Sequence, residues 1–206
     1  PVMRAAATDG HRLARTEIDL PQGAETMPDV GIILPRKTVS ELRKLIDEAE
    51  EVVGIQLSDA KICFRFGQIV LTSKLIDGTF PDYDRVIPKG NNKALDVDAR
   101  EFEKAIDLVS TITIEKTRAV KLNISAASMV VSASSADSDM ANEEIDARFT
   151  DAEPLEIGFN SRYLLDITHQ IEGDTCQMML ADANSPALVK DIADDKAIYV
   201  IMPMRV

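Results

Sequence analysis

Apolar residues recur at helical spacing in three stretches, each followed by short runs in which apolar and polar residues alternate. In Arg36–Ala49 (RKTVSELRKLIDEA), Val39, Leu42, Ile46 and Ala49 share one face at about 100° per residue. In Ala99–Thr111 (AREFEKAIDLVST) the face is Phe102, Ala105, Ile106 and Val109. In Asn160–Ile171 (NSRYLLDITHQI) it is Tyr163, Leu164, Ile167 and Ile171. Asp98 and Asn160 stand where N-caps are needed.

The runs after each helix read as strands. They are VGIQLS, KICFRF and IVLTSKLI after the first, AVKLNIS and MVVSAS after the second, and CQMMLA, ALVKDI and AIYVIMPM after the third. Turn residues separate them, which predicts antiparallel meanders. The helices start about 62 residues apart, so one helix-plus-meander module repeats. The fold class is therefore α+β. Residues 1–34 read as the strand half of an earlier module whose helix is missing, and the chain opens on Pro1, so a fragment is expected. Lys89–Lys93 (KGNNK) follows Pro88, lacks periodicity and reads as a linker between two domains.

At 45% hydrophobic and 28% charged, 206 residues describe a globular chain of one large or two ordinary domains. No apolar run approaches the roughly 20 residues of a membrane span. Cys63 and Cys176 each lie in an apolar strand and read as buried reduced thiols, which fits a cytoplasmic location. The net charge of −12 argues against nucleic acid when taken as a sum.

Placement changes that reading. Opposite their apolar faces, the helices carry Lys37 and Lys44, then Arg100 and Lys104, then Arg162 and His169. Glu41, Glu48 and Asp107 dilute the pattern, yet Lys37, Arg100 and Arg162 repeat at one outward position. A row of such helices suits a polyanion held without sequence readout. Nothing points to catalysis. GxxxxGK[ST], GxSxG, CxxC and HExxH are all missing, no metal-ligand cluster stands out, and no cofactor is implied. Asp9-Gly10-His11 reads as a tight turn, and Glu143-Glu144 as charged surface.

ATDGHRLA (7–14), PRK (35–37), TSKLIDGTFPDYDRVIP (72–88), EIGFN (156–160), Tyr163-Leu164-Leu165-Asp166 and the terminal MPMRV (202–206) run in order along the chain. In these segments the chain resembles the bacterial DNA polymerase III β sliding clamps. The resemblance implies a non-catalytic processivity factor, built of modules with inner helices and outer sheets, that closes as a homodimeric ring around duplex DNA. It makes residues 1–92 an incomplete middle domain and 93–206 the last domain. It places a pocket for short partner peptides of polymerase, clamp loader and repair proteins at Thr8, Gly10, His11, Arg12, Leu13, Pro81, Arg85, Val86, Asn160, Tyr163, Val200, Met202, Pro203, Met204 and Arg205. Lys37, Lys44, Arg100, Lys104 and Arg162 would face DNA. A subunit interface falls at Thr111, Ile112, Glu143 and Glu144. Independently of the resemblance, Leu13, Val86, Met202 and Met204 offer an adaptable apolar slot with Arg12, His11 and Arg205 at its rim. Two other readings remain open on the residues alone: a peptide-binding adaptor without a DNA role, and a hydrolase using His11 and Asp9.

Overall fold

A computed structural model describes residues 1–25, 31–46, 52–113, 118–135 and 139–206. These form two compact units, one of Pro1–Gln22 with Tyr83–Val206 and the other of Gly23–Asp82.

The larger unit is built on one antiparallel sheet. Its strands are β1 (Val2–Thr8), β2 (Arg12–Asp19), β6 (Lys93–Asp98), β7 (Ala119–Ile124), β8 (Ser128–Ser134), β9 (Met140–Phe149), β10 (Leu155–Asn160), β11 (Thr175–Leu180), β12 (Ala187–Asp191) and β13 (Ala197–Ile201). They lie in the order β1-β2-β13-β12-β11-β6-β9-β8-β7-β10. Strict alternation turns Val120, Leu122 and Ile124 inward from β7, Met129, Val131 and Ala133 from β8, and Cys176, Met178 and Leu180 from β11. Against that face pack α2 (Ala99–Ser110), through Phe102, Ala105, Ile106 and Val109, and α3 (Ser161–Thr168), through Leu164 and Ile167. Each wholly buried side chain of this size contributes about 1.5–3 kcal/mol.

Both expected caps form. The Asp98 carboxylate accepts from the N–H groups of Arg100 (3.0 Å) and Glu101 (2.9 Å), and the Asn160 side chain accepts from Arg162 N–H (3.0 Å). The third helix is shorter than its periodicity predicts. Beyond Thr168 the chain tightens into i→i+3 bonds, Gln170 N–H to Ile167 O and Ile171 N–H to Thr168 O. Lys89–Lys93, expected as a linker, is tied to the sheet. Asn91 donates to the carbonyls of Met179 and Pro186, both at 2.8 Å, and Lys93 opens β6.

In the smaller unit, α1 (Arg36–Ile46) packs on a three-stranded sheet of β3 (Gly54–Leu57), β4 (Lys61–Phe66) and β5 (Ile69–Lys74). Ile62, Phe64 and Phe66 meet Leu42, Leu45 and Ile46. The expected face holds at Leu42 and Ile46 but not at Val39. Val39 is 49% exposed, and Thr38 is buried instead with its hydroxyl bonded to that of Ser73 at 2.7 Å. A hydroxyl satisfied in this way is tolerated in a core. Glu48 and Ala49 lie outside the described residues.

The two thiols differ. Cys176 points inward, and burial, with Asp191 and Asp96 nearby, pushes it up to about 12. Cys63 lies on the opposite face of β4 from the inward Ile62 and Phe64 and is only half-buried, not buried as expected. No helix among the described residues is long and apolar enough to cross a membrane.

Candidate functional site

The β1–β2 hairpin turns at Asp9–His11. Gly10 takes φ +87°, a conformation glycine adopts without strain. Asp9 organises the turn, because one carboxylate oxygen accepts from the N–H groups of His11 and Arg12, each at 3.0 Å. Its other oxygen accepts Arg12 Nε at 3.1 Å. Thr8 closes the same turn, its hydroxyl donating to Arg12 O at 2.8 Å and accepting Gly10 N–H at 3.2 Å. Desolvation pushes the Asp9 carboxyl up, but those N–H groups and the Arg12 side chain outweigh it and hold Asp9 below the usual range. Asp9 thus serves the turn as an acceptor and binds His11 through its main chain.

Arg12 is fixed from three sides. Besides Asp9, its Nη1 donates to Asp166 Oδ2 at 2.6 Å, and its guanidinium lies 4.3 Å from the centre of the Tyr163 ring. Burial lowers its proton affinity, yet Asp166 and Asp9 together raise it above the ordinary arginine value. The His11 ring stacks beside Tyr163, with centroids 6.4 Å apart and planes 23° from parallel.

The C-terminal tail joins this cluster through the sheet. β13 pairs with β2, Leu13 opposite Val200 and Arg12 opposite Ile201. Met202 N–H then donates to His11 O, and Met204 N–H to Gly158 O, both at 2.9 Å. A methyl group on Gly158 would stand 2.6 Å from Met204 O and from both Val206 γ-carbons, so the tail lies directly on glycine. These contacts bring Thr8, Gly10, His11 and Arg12 together with Tyr163, Leu13, Val200 and Met202, and the tail continues through Met204 onto Gly158; Asn160 caps the helix that carries Tyr163. Leu13 and Val200 are covered, at 3% and 1% exposure, and form a floor rather than the open wall expected of Leu13. Arg85 closes a short 3-10 turn, Tyr83–Arg85, and Val86 follows it exposed. Pro81 belongs to the smaller unit. Asp166 and Gly158 lie within the sequence motifs, yet the motifs by themselves do not mark them as site residues. Asp166 carried a usable signal, since it falls three residues after Tyr163 on one helix. The close tail over Gly158 had none.

The basic residues occupy a repeated position. Lys37, Arg100 and Arg162 are each the second residue of their helix and all are exposed. A cation there opposes the helix dipole by about 0.3–1 kcal/mol, so helix stability does not explain the choice. Together with Lys104, which is also exposed, none of them forms an ion pair among the described residues. Lys44 pairs with Glu41 at 3.2 Å. His169 faces outward as expected, and there it meets Glu103 of α2 at 3.2 Å.

Thr111 caps α2, its hydroxyl donating to Leu108 O at 2.7 Å, and Ile112 packs partly against the core. Glu143 and Glu144 stand exposed on β9. The β6 ladder reaches only Ala147–Phe149 of that strand, so beside β6 the edge of Met140–Asp146 carries no ladder among the described residues.

Residues 84–205 match the family described as DNA polymerase III beta subunit, C-terminal domain, and residues 2–82 its central domain. The chain is 48% identical over 204 residues to the beta sliding clamp of Caulobacter vibrioides, covering 99% of itself and 54% of that protein. Against the Escherichia coli beta sliding clamp it is 36% identical over 203 residues, covering 98% and 54%. Two solved structures superpose at a TM-score of 0.93. One is a sliding clamp from Bartonella birtlesii bound to griselimycin, 49% identical, with 100% of this chain and 55% of that one covered. The other is the Caulobacter crescentus beta sliding clamp with PEG in a proposed beta-motif tethering region, 48% identical, with 100% and 54% covered. The chain spans about half the length of the curated relatives it matches.

Proposed function

The chain belongs to the DNA polymerase III beta subunit family, and on that premise we propose that it is a segment of a sliding clamp, a non-catalytic protein that encircles duplex DNA and tethers replication and repair enzymes to it. The observation that carries this reading is the repeated outward cation, Lys37, Arg100 and Arg162, at a helix position where it does nothing for the helix. In a chain of net charge −12, such placement concentrates positive potential where the total would not predict it. Contacts of this kind hold phosphate without reading bases. The His11–Arg12–Tyr163 cluster and the tail Met202–Arg205 serve as the docking site for short linear peptides, with Arg85 and Val86 contributing from the same unit. Griselimycin, bound by the Bartonella relative, is a candidate ligand here too. The family matches, which meet between residues 82 and 84, support two consecutive clamp domains. The open edge of β9 with Glu143 and Glu144, and the end of α2 at Thr111 and Ile112, serve the contact with a second subunit. The protein works in the cytoplasm.

The test is charge reversal in a complete clamp that contains this chain. Lys37→Glu combined with Arg100→Glu is expected to shorten retention on DNA, more so at low salt. Stability should stay within roughly ±0.5 kcal/mol per exposed site. Unchanged retention across several salt concentrations would contradict the assignment of these helices to DNA.

A further inference from the structure

We propose that Asp166 is a positioning residue that keeps Arg12 satisfied in the free chain and so disfavours a peptide carboxylate placed beside Arg12. This rests on the reading of the site as a peptide dock and adds its charge selectivity.

Arg12 is the cation of the cluster, with a guanidinium fork suited to carboxylates. In the free chain the fork is already engaged, Nε by Asp9 at 3.1 Å and Nη1 by Asp166 at 2.6 Å. Its face lies over Tyr163, 4.3 Å from the ring centre. Two carboxylates on one guanidinium leave the group with a net negative charge, although it contains the arginine expected to attract anions.

The two acids are not equivalent. Asp9 is required by the hairpin, because it accepts two main-chain N–H groups. Among the described residues, the Asp166 side chain bonds to Arg12 alone. It also stands in the second half of α3, where the helix dipole disfavours an acid. Arg162 lies four residues before it, yet Asp166 reaches instead across 154 residues of sequence to the hairpin. Its place is explained by Arg12 and not by its own helix.

A peptide approaching Arg12 therefore meets an occupied fork. A neutral amide or main-chain carbonyl can use the remaining guanidinium protons. A carboxylate must displace Asp166 or sit beside it. Arg12 and Asp166 are 30% and 47% exposed, so water and salt screen the repulsion and the expected discrimination is modest.

The probe is a blocked, fluorescein-labelled heptapeptide selected for binding to the wild-type chain. It is synthesised in matched pairs with Asn or Asp at each position. At the position nearest Arg12, the wild-type chain is expected to prefer Asn by about three- to tenfold, a preference that shrinks as salt rises. Asp166→Asn should bring the Asp-to-Asn ratio to about one while keeping the neutral peptide within about threefold. Asp166→Glu should restore the preference. A ratio unchanged by Asp166→Asn, with the neutral peptide still bound, would overturn the role of Asp166 and leave the docking site standing. Failure of the wild-type chain to bind any peptide in the selection would overturn both.

Discussion

A chain ending at Ile201 is expected to bind a labelled docking peptide too weakly to measure, while its fold survives. Met202 is 41% exposed in the free chain and Met204 is partly covered, so both retain apolar surface for a ligand to bury. Methionine adapts its shape to several apolar anchors. Pro203 between them restrains the backbone and lacks a donor to solvate. Burying the two thioethers contributes at most about 1.5–3 kcal/mol each. Losing most of that moves a micromolar peptide, near −8 kcal/mol, into the millimolar range. The sheet should not follow, because β13 ends at Ile201 and keeps its ladders to β12 and β2. Fluorescence titration of both chains decides the matter. Equal affinities would show that the tail is no part of the docking site.

Gly158→Ala is expected to reach much the same end with the tail still present. Its new methyl group would stand 2.6 Å from Met204 O, a main-chain atom, and from both γ-carbons of Val206. The valine side chain can turn away. The carbonyl can withdraw only by moving the tail, which breaks the Met204 N–H bond to Gly158 O. Alanine otherwise suits a strand at least as well as glycine. Peptide affinity should fall by about tenfold or more, with the melting temperature nearly unchanged. Undiminished affinity in the alanine variant would mean that the tail's position on β10 is irrelevant to docking.

Periodicity located all three helices among the described residues because each buries a stripe, as Phe102, Ala105, Ile106 and Val109 show. It located strands whose two faces differ, such as Val120–Leu122–Ile124. It passed over β6, β9 and β10. In β9 (MANEEIDARF) both faces carry polar groups over most of its length, so alternation is lost and the strand reads as acidic surface. β6 follows a polar segment that disguises its start, and β10 carries Gly158, a residue usually depleted in strands. A helical wheel places Val39 inward because it ranks valine above threonine. The wheel has no knowledge of Ser73, whose hydroxyl satisfies Thr38.

At the candidate site, the turn chemistry of Asp9-Gly10 was legible in the chain itself. The pairing of Arg12 with Asp166 was not, because 154 residues separate them and the two meet only in the folded chain. The charge pattern was legible as a repeat. The outward position of His169 was legible too, but not its partner, because Glu103 stands on the neighbouring helix.

The central claim is topological: a complete clamp containing this chain holds DNA by enclosing it. The direct measurement loads that clamp onto nicked circular DNA, then follows co-elution by gel filtration before and after the circle is linearised. The account predicts retention on the circle that resists raised salt, followed by loss once free ends allow the ring to slide off. Equal retention on circular and linear DNA, falling together as salt rises, would contradict it and show ordinary phosphate binding.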